Sequence, residues 1–429
     1  MQYKASILGF CFMEKFIISG GKKLNGEVVV NSAKNAILPI IAGSLLTQRQ
    51  VVLNKVPKIA DVYKMLEIIK SLGGKVTTFD ESVVIDNNNI SNFKITYELT
   101  KDIRSSIFIL GAMLSKYKKV SIAYPGGCDI GSRPIDLHLA GLIELGVKVT
   151  EENGFINCNG EDMKPSHIYL DFPSVGATEN LIMASVLLCG ETIISNCAKE
   201  PEIVDLANFL NALGAKVFGA GTSEIKITGV KVLHGAEYTP IGDRIVAGTL
   251  LIATALTGGK IELQNANPQH LLSLINKLRK SGCKIDFCSG KILLESRCRP
   301  TSCSFETATY PGFPTDLQPQ MSVLLAVAKG MSIVTENLFE TRFRHFSELA
   351  KMGAKVLIKD RVAIIEGVKV LHGAKVEAYD LRGGASLVLA GLVASGTTEV
   401  ENIKYIDRGY VSLESTLSKL GADIKRIKL

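Results

Sequence analysis

Apolar residues recur along this chain at helical spacing in short stretches, each closed by a glycine and followed by a β-rich stretch. Val62, Met65, Leu66, Ile69 and Leu72 fall at i, i+3, i+4, i+7 and i+10, the spacing of an amphipathic helix. Ile203, Leu206, Ala207, Leu210 and Leu213 repeat it. Both helices run into a phrase that occurs six times, at residues 71–76, 144–149, 212–217, 280–285, 351–356 and 419–424. Its first glycines, Gly73, Gly146, Gly214, Gly282, Gly353 and Gly421, stand about seventy residues apart. Glycine past a helix end takes the left-handed conformation that closes the last turn, so each phrase predicts a helix stop followed by a strand.

Each repeat also holds an earlier helix rich in small apolar residues, again followed by glycine and strand. Examples are residues 184–190 leading into 192–195, and 389–396 leading into 397–400. The unit is therefore βαβαβ-like. A period near seventy is too long for the usual solenoids and suits small globular repeats packed about an axis. Six units in 429 residues predict an α/β protein of two lobes, three units to a lobe.

Composition narrows the classes. A hydrophobic content of 46% with 21% charged residues describes a soluble globular chain, and no stretch offers about twenty uninterrupted apolar residues for a membrane span. Residues 1–12 contain a short apolar run but no small-residue cleavage site, which predicts a disordered extension with Met13 as a possible true start. The nine cysteines show no CxxC pair and no histidine at metal spacing, so reduced thiols in a cytoplasmic protein without a metal are expected. A formal charge of +7 favours anionic partners. The absence of Trp, the 6% aromatic content and the lack of a Lys/Arg-rich block argue against nucleic acid.

The first helix of each repeat starts with polar groups set in apolar sequence. These are Lys34-Asn35, Arg104-Ser105, Ser174 to Gly176, Asp243-Arg244, Thr315-Asp316 and Asp380 to Arg382. Helix N-termini present unpaired N–H groups and a positive dipole end, so an added cation makes each a potential anion site. The bland alternative is that the Asp and Ser residues are N-caps and the arginines are surface charge. It is weakest for Lys34, which enters the apolar run 36–43. If equivalent helix starts point the same way in both lobes, they share a strongly positive cleft.

Residues 124–138 form the least ordinary stretch. Pro125, Gly126, Gly127, Gly131 and Pro134 predict a loop, and within it Cys128 lies near Arg133, a cation that favours the thiolate and makes the thiol a usable acid. His138 offers either a base or an ordinary hydrogen-bonding group. Cys189, Cys197 and Cys283 sit at the ends of apolar or glycine-rich elements, where core fillers are expected.

From residue 13 to the C-terminus the chain resembles the UDP-N-acetylglucosamine 1-carboxyvinyltransferases, enolpyruvyl transferases of bacterial peptidoglycan synthesis. The resemblance rests on residues 33–36, the 125–138 loop, 174–178, 200–205, 313–316, Arg342-Phe343, 380–382 and 406–410. It implies an inside-out α/β barrel of two lobes, each built from three βαβαββ units. Residues 13–31 with 242–429 would form the C-terminal lobe, and residues 32–241 the N-terminal lobe carrying the Cys128 loop. It further implies transfer of enolpyruvyl from phosphoenolpyruvate to the sugar 3′-hydroxyl, without cofactor or metal. In those roles Cys128 is the proton donor to the methylene carbon and Asp316 the base toward the hydroxyl. Lys34, Asn35, Arg133 and Arg408 hold phosphoenolpyruvate, with Lys34 and Arg408 counted as catalytic. Arg104, Arg133, Pro134, Ile135, Asp136, Leu137, Ser174, Val175, Asp316 and Leu338 line the nucleotide-sugar site, with Asp380 and Arg382 in support. Phe172 stands where some members carry Lys.

Two rivals remain. The sister enzyme acting on shikimate 3-phosphate is disfavoured because residues 100–104 replace its Asn-Ala-Gly-Thr-Ala stretch. A basic, nucleic-acid-binding repeat protein without activity would leave Cys128 and Asp316 unexplained.

Overall fold

A computed structural model describes residues 14–126, 135–288 and 290–428. Cys128, Arg133 and Pro134 lie outside the described residues, as does the expected N-terminal extension.

Among the described residues the strands form six four-stranded sheets. All six share one plan. Counting strands along a unit, the first pairs parallel with the second, the second antiparallel with the fourth, and the fourth antiparallel with the third. A parallel neighbour needs a crossover, and a helix supplies it. In the third unit, for example, the helix Val175–Ser185 joins His167–Tyr169 to Glu191–Ser195. Three units are completed by strands distant in sequence. Glu14–Ser19 enters the sheet of Thr397–Glu401 and Asp423–Lys428, Asn25–Val29 pairs with Lys260–Gln264, and Ala236–Tyr238 pairs with Val51–Leu53.

The two helices of a unit differ in burial, and their composition says why. Helices Lys34–Gly43 and Leu381–Val393 are largely apolar, Gln318–Ala326 mixes apolar residues with Gln318, Gln320 and Ser322, and all three helices are buried along almost their full length. The helix Ala60–Ser71 is amphipathic and buries one side, with Asp61, Val62, Met65, Leu66, Ile68 and Ile69. Helices therefore fill the centre while sheets face outward with polar outer positions, as the largely exposed Lys75–Phe79 illustrates. Two separate apolar cores result. One runs from Ala33 to Leu233; the other combines Phe16 to Val30 with Ile245 to Ile424. The two chain crossings between them lie side by side: Ala33 N–H donates to Ile241 O at 2.7 Å and Asp243 N–H to Asn31 O at 2.8 Å.

All six phrase glycines have positive φ, between 89° at Gly353 and 107° at Gly73. Gly282 separates conformation from space, because a Cβ there meets nothing within 4 Å. Gly282→Ala is expected to cost about 1 kcal/mol from the backbone alone, a drop of about 2 °C in Tm. At Gly73 the added carbon would lie 2.4 Å from the carbonyl oxygen of Asn89, so Gly73→Ala should lower Tm further in the same melt.

Candidate functional site

The six first helices start at one place. Lys34 and Asn35 open Lys34–Gly43, Arg104 and Ser105 open a turn leading into Ile109–Tyr117, and Thr315 and Asp316 open a turn leading into Gln318–Ala326. The other three starts carry N-caps: Ser174 accepts from Ala177 N–H, Asp243 from Ile245 and Val246 N–H, and Asp380 from Arg382 and Gly383 N–H. Capping and cavity lining are thus not alternatives. Residues from all six starts line a single cavity of about 780 Å³ between the two cores.

Among the described residues the cavity wall is not strongly positive, unlike the sequence-based expectation. Its described lining holds six Lys and Arg side chains against eight Asp and Glu. Burying an unpaired cation costs several kcal/mol, and cations in this wall are matched with carboxylates. Arg244 pairs with Glu202 at 2.9 Å. Lys34 Nζ lies 2.6 Å from Asp61 Oδ2, and Arg408 Nε, from the other core, donates to Asp61 Oδ1 at 2.9 Å. Two cations, one from each core, thus share the Asp61 carboxylate. Burial holds the Lys34 ammonium below the usual lysine range; Asp61 opposes this, and Arg408 and Arg382 add to it. Burial pushes the Asp61 carboxyl up, but Lys34 and Arg408 outweigh it and keep it ionised.

Asp316 is clamped more tightly. Arg342 Nη2 donates to its Oδ1 at 2.7 Å, and Arg382 donates to its Oδ2 through Nε at 3.1 Å and Nη2 at 3.0 Å. Burial raises its pKa, yet the two guanidinium groups and Lys34 hold the carboxyl well below the usual carboxylate range. Asp380 stands 3.6 Å from Arg342 and so braces the clamp from behind.

Of the residues singled out from sequence, Lys34, Asn35, Arg104, Asp136, Leu137, Ser174, Val175, Asp316, Leu338, Asp380, Arg382 and Arg408 share this cavity, and Phe172 joins them. Ile135 does not; it is mostly buried and borders an adjoining hollow with Arg104 and Asp136. His138 is buried against Asn180, with Nδ1 2.8 Å from Nδ2, and burial lowers its pKa to about 3, so it is a neutral hydrogen-bonding group. Cys197 and Cys283 are buried as expected, but Cys189 is exposed, because the turn before Glu191–Ser195 faces solvent. Asp61 and Glu179 escaped the sequence reading. Glu179 is buried with neither carboxylate oxygen hydrogen-bonded among the described residues, and burial followed by repulsion from Glu202 and Glu200 raises its pKa well above normal. No group of three or more His, Cys, Asp or Glu side chains among the described residues is arranged to hold a metal ion.

Solved structures define the class of fold. An enolpyruvyl transferase, NikO, of Streptomyces tendae superposes with a TM-score of 0.87 at 23% identity, covering 97% of this chain and 100% of its own. An EPSP synthase from Acinetobacter baumannii gives 0.74 at 18% identity, with the same coverage. The profile of the EPSP synthase (3-phosphoshikimate 1-carboxyvinyltransferase) family matches residues 18–417. Much nearer in sequence are "UDP-N-acetylglucosamine 1-carboxyvinyltransferase 2" of Caldanaerobacter subterraneus subsp. tengcongensis, 50% identical over 416 residues, and its namesake in Carboxydothermus hydrogenoformans, 50% identical over 417. Each alignment covers 97% of this chain and 100% of the relative. The chain belongs to the EPSP synthase family and, within it, to the UDP-N-acetylglucosamine 1-carboxyvinyltransferases.

Proposed function

We propose that this protein transfers the enolpyruvyl group of phosphoenolpyruvate to the 3′-hydroxyl of UDP-N-acetylglucosamine and releases phosphate, the first committed step of peptidoglycan biosynthesis. The observation that carries the reading is the 50% identity, over the whole length of the relatives, to transferases of that name. The cavity is consistent with it. Lys34 and Arg408, with Asn35 and Arg133, take phosphoenolpyruvate, since two cations gathered at one point of the cavity suit an anion and charge-assisted hydrogen bonds to phosphate are strong. The start of the eleven-residue helix Val175–Ser185 offers unpaired N–H groups to the diphosphate beside Ser174. Arg104, Arg133, Pro134, Ile135, Asp136, Leu137, Val175, Asp316 and Leu338 complete the nucleotide-sugar site.

The reaction runs by addition and elimination. The hydroxyl oxygen bonds to C2 of phosphoenolpyruvate while Cys128 protonates C3, and Asp316 receives the hydroxyl proton. Transfer of a proton from C3 back to the Cys128 thiolate then re-forms the double bond as the C2–O bond to phosphate breaks, and the departing phosphate takes the proton held by Asp316. The reading implies small-molecule substrates, a cytoplasmic site of action, and no nucleic-acid or membrane partner; no helix among the described residues is long and apolar enough to cross a membrane.

Phosphate release from phosphoenolpyruvate, measured with UDP-N-acetylglucosamine or with shikimate 3-phosphate, tests the proposal. Release with the nucleotide sugar alone is expected. Release with shikimate 3-phosphate alone would assign the sister reaction, and release with neither would remove the enzymatic reading.

Asp61 supplies a pH prediction. Lys34 must be protonated to hold phosphoenolpyruvate, so kcat/KM should fall as pH rises through its lowered pKa in the free enzyme. Asp61 is what raises that pKa, and Asp61→Asn removes it. The alkaline limb of the kcat/KM profile for phosphoenolpyruvate should therefore move to lower pH. An unmoved limb would show that Lys34 does not set it.

A further inference from the structure

We propose that Tyr410, with Thr249 and Gln320, is a buried positioning device that fixes Arg382 against Asp316 for the transfer reaction; the proposal rests on the function given above. The three side chains come from separate parts of the second core. Thr249 lies on Arg244–Thr257 and Gln320 on Gln318–Ala326, while Tyr410 stands two residues beyond Arg408. All three are buried. The Tyr410 hydroxyl oxygen is 2.9 Å from Thr249 Oγ1 and 3.2 Å from Gln320 Nε2, and Gln320 Nε2 is also 3.1 Å from Thr249 Oγ1.

The proton directions follow from one bond. Thr249 Oγ1 donates to the carbonyl oxygen of Ile245 at 2.8 Å, so its hydrogen is committed and it can only accept from the phenol. Tyr410 therefore donates to Thr249 and accepts from Gln320, and the hydroxyl is held from both sides. Its ring then meets the Arg382 guanidinium, whose central carbon lies 5.5 Å from the ring centroid. That guanidinium is the one that sends Nε and Nη2 to Asp316 Oδ2.

Burying three polar side chains among helices is costly, and this set is not fully satisfied, because Gln320 Oε1 has no hydrogen-bond partner among the described residues; the bonds that are made are what fix the geometry. Directional bonds fix what apolar contact leaves free, the sliding and rotation of one helix against another. The helices linked here are those whose starts present Arg244 and Asp316 to the cavity, and Arg382 opens a third. Tyr410 also anchors the turn Ile403–Arg408, from which Arg408 reaches Asp61 in the other core. One phenol thus ties the clamp on the proposed base to the arm that crosses the cavity.

The test is steady-state kinetics of wild type, Tyr410→Phe, Thr249→Val and Thr249→Ser, with Tm recorded for each. Tyr410→Phe keeps the ring and removes only the hydroxyl. We expect its kcat to fall about tenfold, as small misplacements of reacting groups do, while KM for both substrates stays within about twofold and Tm within about 4 °C. Thr249→Val should follow it, and Thr249→Ser, which keeps the acceptor, should restore kcat. Wild-type kcat in Tyr410→Phe, or a Thr249→Ser protein as slow as Thr249→Val, would overturn the proposal. If Tyr410→Phe does not fold, the Val and Ser pair at position 249 decides alone. Absence of turnover in wild type would instead remove the functional reading, and the positioning role with it.

Discussion

Asp316→Ala is expected to cut kcat by about a hundredfold or more, in line with the contribution of a general base. The residue opens the helix start at Thr315–Leu317 and projects into the cavity under two guanidinium groups. Those groups make it a weak base at rest, since they hold its pKa well below the ordinary range. That does not disqualify it. As the hydroxyl oxygen adds to C2 it turns oxonium-like and strongly acidic, so a carboxylate of low pKa can take the proton late in the step, and the same guanidinium groups keep it ionised and ready to accept. Arg342 and Arg382 then serve to aim the free carboxylate electron pairs. Asp316→Asn is the sharper variant, because it keeps shape and part of the hydrogen bonding but removes the base. Its kcat should fall nearly as far as that of Asp316→Ala, with binding of UDP-N-acetylglucosamine, read by calorimetry, changed far less. Near-normal turnover in either protein would exclude Asp316 as the base.

Much of the fold could be read from sequence because its punctuation is local. A glycine at a helix end reports a left-handed φ through steric exclusion alone, and all six phrase glycines adopt one. The helix starts were legible for the same reason, as polar residues that interrupt apolar runs. Charge pairing was not legible, since the partners are remote: Arg408 and Asp61 are 347 positions apart, and Arg382 and Asp316 are 66 apart. That remoteness explains why the cavity looked strongly positive in sequence while its described wall carries as many carboxylates as cations or more. Asp61 was hidden further by its setting, because an acidic residue in a first helical turn is an ordinary complement to the helix dipole. Position at an element end did not settle burial either; Cys197 and Cys189 both occupy such ends, one buried and one exposed.

Fosfomycin, an epoxide phosphonate that mimics phosphoenolpyruvate, is expected to abolish activity by alkylating Cys128 and no other cysteine. The expectation follows from the family resemblance, and the remaining thiols make it a discriminating test. Burial pushes Cys158 and Cys197 up to about 12 and Cys283 to about 11, so all three are poor nucleophiles. Cys189 and Cys298 are exposed and Cys303 half-buried, but none of them lines the cavity where Lys34 and Arg408 would hold a phosphonate. A small neutral reagent such as iodoacetamide should therefore reach Cys189 and Cys298 as readily as it is excluded from the buried three. The phosphonate should pass them by. UDP-N-acetylglucosamine should speed fosfomycin labelling, as expected if the sugar nucleotide closes the lobes around the epoxide. Cys128→Asp retains a proton donor without the nucleophile and should keep measurable turnover while resisting the compound. Peptide mass spectrometry after treatment decides the matter: adducts spread over several cysteines, or a Cys128→Ser protein that is still labelled and inactivated, would place the reactive thiol elsewhere.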